Sequence, residues 1–158
     1  MKKYIVLMLT FSFLLIIVNF VFADTTYTER LAGNDRIETA IEISDDVFSN
    51  GWCDGAEVIV CRSDLYPDAL SASSLAGWFT CPILLNPSDS LDSRVEDELD
   101  RLFDGFDTTD TVYIIGGEAA LSEEVEDDLE DLDCTVIRIG GTDRYDTAQK
   151  VAEELEDQ

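Results

Sequence analysis

The sequence predicts an α/β fold built on a parallel sheet, and three observations carry that reading. From Asp35 onward, apolar residues at helical spacing alternate with short apolar runs. Those runs are apolar nearly throughout, as strands are when helices cover both faces of a sheet. The stretch from Arg30 to Ala40, RLAGNDRIETA, also returns 108 residues later as RIGGTDRYDTA, from Arg138 to Ala148, with six of eleven positions identical. A fixed internal period marks a duplicated unit. The expected architecture is a three-layer open parallel sheet of about four strands with helices on both faces, plus the first helix of a second repeat.

Each element has its own signal. Ile37, Ala40, Ile41, Val47 and Phe48 mark one side of a first helix, and AEVIVC, residues 56–61, reads as a strand. Pro67 and Asp68 suit a helix start, and the small residues of LSASSLAGWF imply close packing on a sheet. PILLN (82–86) is the next strand, followed by a helix carrying Val95, Leu99, Leu102 and Phe103. TVYII (111–115) ends in Gly116-Gly117, after which Ser122 can cap a helix bearing Val125, Leu129 and Leu132. TVIRI (135–139) ends in Gly140-Gly141. The last helix repeats the first, with Tyr145, Ala148, Val151, Ala152 and Leu155 as its apolar side.

The N-terminus reads differently. Lys2 and Lys3 precede an apolar run from Tyr4 to Phe22, which ends at Ala23 before the polar Asp24. That pattern describes a secretory signal peptide over 1–23, cleaved between Ala23 and Asp24; the alternative is an uncleaved membrane anchor, since about 20 apolar residues can span a bilayer. A repeat module over 24–137 and an incomplete second repeat over 138–158 follow. Removing the leader takes two of the 10 basic side chains and none of the 35 acids, which moves the net charge from −25 to −27. Such a surface excludes nucleic acid, which requires clustered Lys and Arg. Acids crowd helix faces such as 123–131, where a solvated outer side explains them.

Four cysteines in an exported chain permit disulfides. Cys53, Cys81 and Cys134 each precede an expected strand, which favours one bridge among the three, with Cys61 as the fourth thiol; the pairing stays open. With no histidine and no CxxC pair, a zinc site and the usual Ser-His-Asp or Cys-His arrangements are disfavoured. Neither glycine pair belongs to a GxGxxG or GxxxxGK[ST] pattern, so nucleotide binding has little support. A carboxylate pair is uninformative among 35 acids.

Ligands of open parallel sheets bind beyond the carboxyl ends of the strands. Residues 62–68, 86–88, 116–118 and 140–144 are expected there. In the repeated Asp-Arg pairs, Asp35 and Asp143 fit helix N-caps. Arg36 and Arg144 would then sit unfavourably at the positive helix end unless each has a partner: a carboxylate such as Asp64 or Asp68, or an anionic ligand.

These stretches, with YPDALSASSLAG (66–77), PILL (82–85) and VYIIGG (112–117), resemble the cell wall-binding repeat 2 family of secreted surface proteins, in family order across nearly all the chain after the leader. The resemblance implies a non-enzymatic, noncovalent attachment module at the cell wall or surface, whose partner is a cell-wall polysaccharide or anionic wall polymer. No cofactor is expected, although a divalent cation can bridge two anions. The residues it points to are Arg36, Asp68, Gly116, Gly117, Asp143 and Arg144. The alternative is a structural assembly unit, a homo-oligomer or surface-layer component in which a neighbouring module completes the half-repeat. A small wall-glycan hydrolase ranks last.

Overall fold

The structure, a computed structural model, describes residues 30–49, 57–104, 106 and 108–157. The expected leader over 1–23, its Ala23–Asp24 cleavage point and Cys53 lie outside the described residues. Every described helix and strand lies within one compact unit, Leu31–Gln158.

In chain order these are α1 (Arg36–Val47), β1 (Glu57–Arg62), α2 (Pro67–Phe79), β2 (Ile83–Asn86), α3 (Ser93–Phe103), β3 (Thr111–Ile115), α4 (Glu123–Glu130), β4 (Thr135–Ile139) and α5 (Arg144–Asp157). The strands pair in the order β2-β1-β3-β4, all parallel, with Ile59 opposite both Ile83 and Tyr113. Residues two apart share a face of a strand. Val58 and Val60 therefore join Leu84, Val112 and Ile114 beneath α1, α3 and α4, where Ile37, Val95, Leu99, Val125 and Leu129 complete one core layer. Ile59, Cys61, Tyr113 and Ile115 face the other way and meet Ala72, Leu75 and Val151 of α2 and α5.

Right-handed crossovers explain this division. The chain moves outward from β1 to β2 through α2, then reverses direction through α3 and α4, and the reversal puts those two helices on the opposite face. Helix starts follow local chemistry. Asp35, Asp92 and Ser122 are the N-caps of α1, α3 and α4, accepting from the amides of Glu38, Arg94 and Val125 respectively.

Two expectations are corrected, and one of the possible cysteine pairings is ruled out. In α5, Tyr145 is 79% exposed and Ala148 and Ala152 are also exposed, while Thr147, Val151 and Leu155 turn inward. This helix leans mainly on α2, so only a narrow stripe is covered. In α1, Val47 is exposed, and Ile37, Ile41, Ser44 and Phe48 form the inner side. Cys81 and Cys134 precede β2 and β4, the two outer strands. Three strand spacings, about 14 Å, separate them, twice the roughly 7 Å Cα limit for a disulfide.

Candidate functional site

The repeated motif builds the same structure twice. The Gly33 amide donates to Thr39 Oγ1 at 3.1 Å, and the Gly141 amide donates to Thr147 Oγ1 at 3.0 Å. The Asn34 amide donates to the Glu38 carboxylate, and that of Thr142 to Asp146. Asp35 Oδ1 accepts from the Glu38 amide at 2.8 Å, as Asp143 Oδ1 does from Asp146 at 2.9 Å. Both glycines are required by close approach: a Cβ would fall 2.4 Å from Glu38 or from the Thr147 amide nitrogen. The Asp of each Asp-Arg pair is thus an N-cap, and Asp143 Oδ1 is occupied by the amides of Tyr145 and Asp146.

The arginines differ. Arg36 donates to the Ser63 carbonyl oxygen at 2.6 Å, which ties the start of α1 to the β1–α2 loop. The partner is a backbone oxygen, and neither Asp64 nor Asp68, the carboxylates weighed beside an anionic ligand, takes that place. Asp64 is instead gripped bidentately by Arg62, at 2.6 and 2.7 Å. Arg62 reaches on to the Ala119 carbonyl at 3.4 Å. Arg144, at the start of α5, is exposed and makes no hydrogen bond or ion pair among the described residues, yet lies near enough to Asp68 to favour its ionised form.

The strand order reverses between β1 and β3, and a crevice at the carboxyl ends of such a pair is where open α/β sheets bind ligands. Arg62 and Ser63 end one wall and Gly116-Gly117 the other. Gly116 has φ +123°, a left-handed conformation, and a Cβ there would stand 2.7 Å from that of Ala120 and 3.1 Å from Asp68 Oδ2. Half-buried Asp68 is pushed toward its neutral form by burial, against the pull of Arg62 and Arg144, with Asp64 adding repulsion. Its carboxylate accepts none of the hydrogen bonds described for this edge.

On the β2 side of the same loop a pocket of about 260 Å³ is lined by Arg36, Arg62, Asp64, Leu65 and Tyr66. Tyr66 is 69% exposed, an aromatic ring beside two guanidinium groups. Of the expected site residues, Asp68, Gly116 and Arg144 come together, Gly117 adjoins them, and Arg36 opens into the neighbouring pocket. Arg62 and Tyr66 were missed individually, although both lie in or beside the segment expected at this edge. Arg138 is a further surprise: half-buried, it donates to the carbonyls of Gly116, Leu121 and Ser122 and pairs with Glu126 at 2.8 Å, clasping the β3–α4 loop.

Burial, with the charge of Asp68 adding, pushes the Cys61 thiol up, which marks a core side chain rather than a nucleophile. Among the described residues no three His, Cys, Asp or Glu side chains gather as metal ligands, and no helix is long and apolar enough to cross a membrane.

Residues 30–126 match the family described as cell wall binding domain 2 (CWB2). The chain is 31% identical over 156 residues, 98% of its length, to N-acetylmuramoyl-L-alanine amidase LytC of Bacillus subtilis. It is 30% identical over 128 residues to the amidase enhancer of the same organism. It covers 29% and 17% of those two proteins. Among solved structures it resembles Cwp8 from Clostridium difficile, with a TM-score of 0.73 and 34% identity over 78% of this chain and 21% of that one. Cwp6 from the same organism gives 0.70 and 28%, over 85% and 22%. The chain therefore spans less than a third of each of these relatives.

Proposed function

The chain belongs to the cell wall binding domain 2 family, and on that premise we propose that it is a non-catalytic module that attaches noncovalently to an anionic cell-wall polymer or wall glycan through the carboxyl edge of its sheet. Cell-wall association follows from the family. The ligand, the edge and export through cleavage after Ala23 are the proposal. The small share of the two amidase-named relatives that the chain covers gives no ground for transferring hydrolysis to it.

One observation carries the choice of edge. In a chain with 10 basic side chains against 35 acids, Arg62 and Arg144 flank a half-buried carboxylate at the strand-order reversal, and Arg36 joins Arg62 in the adjoining pocket. The helices of a parallel α/β sheet also point their N-termini, the positive ends of their dipoles, toward this edge. A phosphate or carboxylate of the polymer meets local positive charge there despite the net charge of −25. Arg144 offers a free bidentate donor. Asp68 accepts from a sugar hydroxyl, and the Tyr66 ring lies against a sugar face.

Cosedimentation of the purified chain with isolated cell envelopes across a salt series tests this. Saturable binding is expected, weakened about tenfold by Arg144→Ala, the lower end of the worth of a charge-assisted hydrogen bond, and further by adding Arg36→Ala. Equal binding by native and doubly substituted chains would contradict it.

A further inference from the structure

The flank at the β2 edge is unlike the rest of this acidic surface. Ile43 and Val47 of α1 and Leu70 and Trp78 of α2 are 46, 62, 64 and 61% exposed. Between the two helices runs a groove of about 400 Å³, walled by residues such as Ile43, Val47, Ala76, Gly77 and Pro82 and, among the described residues, by no charged side chain. Ser44 also lines it, only 1% exposed, and its hydroxyl has no hydrogen-bond partner among the described residues. Buried hydroxyls are seldom left so. A contiguous apolar patch with an unmatched polar atom at its base reads as one half of an interface.

The internal repeat indicates what fits. Positions 108 apart correspond, so Ile43 and Val47 of α1 stand where Val151 and Leu155 stand in α5. In α5 those two side chains pack in one cluster with Ala72 and Leu75 of α2. Helix α1 thus turns toward solvent the face that its twin uses to bind α2. The outer side of α2, with Leu70, Ser73, Ser74, Gly77 and Trp78 exposed, is a small-residue surface that a helix can approach closely.

We propose that a second copy of this chain covers the flank, α1 of each copy lying on the outer side of α2 of the other about a two-fold axis. Such an isologous contact is self-complementary, each copy supplying both halves. Charge favours the same occupant. A copy with net charge −25 can approach its twin only where both surfaces are uncharged, and this flank meets that condition. Glu42, Asp45 and Asp46 are exposed beside it on α1, so the dimer strengthens as salt screens them.

Sedimentation equilibrium on the full chain, as a concentration series at low salt and at about 1 M salt, where the Debye length is about 3 Å, provides the test. The expected result is a mass rising from monomer toward dimer, more steeply at high salt. Val47→Asp and Trp78→Asp should each weaken association at least tenfold, and Tyr145→Asp, an equally exposed aromatic on α5, should leave it unchanged. Hydrogen exchange on the native chain adds a readout free of substitutions: amides in 43–47 and 70–78 should gain protection as concentration rises. A monomeric mass at every concentration overturns the proposal. So does association that survives both substitutions, which would place it elsewhere, residues 1–29 included, and so does protection of the flank that is independent of concentration, which would mean the chain's own residues cover it.

Discussion

Burial pulls Asp68 toward its neutral form while Arg62 and Arg144 pull the other way, and burial wins. The sign of the pH effect follows. Its ordinary value is 3.8; between that and its raised folded value the native chain holds the proton more tightly than the unfolded chain, so stability falls as pH rises through the window. Asp68→Asn is therefore expected to raise the melting temperature at pH 7, with the gain fading as pH drops toward the ordinary carboxylate range, while weakening envelope binding. Thermal melts from pH 3 to 8 check the first half and cosedimentation the second. A carboxylate pushed toward its neutral form by burial that accepts no hydrogen bond among the described residues fits a group kept for a ligand. Gly116 is the opposite kind of residue. With φ +123° and no room for a Cβ, Gly116→Ala should cost about 1–3 kcal/mol, measured by urea unfolding, whether or not a ligand is present.

At the scale of elements, the strands and most of the helices were legible because their signals are local: apolar runs of strand length, a proline at a helix start, an Asp or Ser at an N-cap. β3 and β4 lie where their runs predicted, and α2 begins at Pro67. Illegible were the matters that depend on what a helix packs against. α1 and α5 share a motif yet lie on opposite faces of the sheet, so the same periodicity buries Ile37 in one and exposes Tyr145 in the other. Arg138 escaped for a similar reason. A lone arginine in a strand gives no sign of the three carbonyls and one carboxylate it will meet. Within the site, the repeat drew notice to Arg36 and Arg144, but Arg62 emerges only once β1 and β3 are neighbours. Arg138→Met should cost about 3 kcal/mol, since Glu126 and the loop carbonyls would lose their partner inside a largely covered clasp; denaturant unfolding beside an Arg144→Met control, expected near zero, separates clasp from surface.

Across the whole molecule the governing feature is uneven charge. A net −25 would repel an anionic wall polymer, and the fold answers by gathering guanidinium groups and helix N-termini on one edge while leaving an uncharged flank beside β2. If the two proposals hold, salt separates them: it screens the local guanidinium contacts to the polymer as well as the overall repulsion, whereas self-association through the uncharged flank only loses repulsion and should strengthen. Chemical-shift mapping of the isotope-labelled chain, titrated with solubilised wall polymer, locates the contact itself. Binding at the carboxyl edge predicts saturable shifts centred on 62–68, 116–117 and 141–144, with the α1 and α2 flank unmoved. Shifts confined to 43–47 and 70–83, or none at saturating polymer, would contradict it.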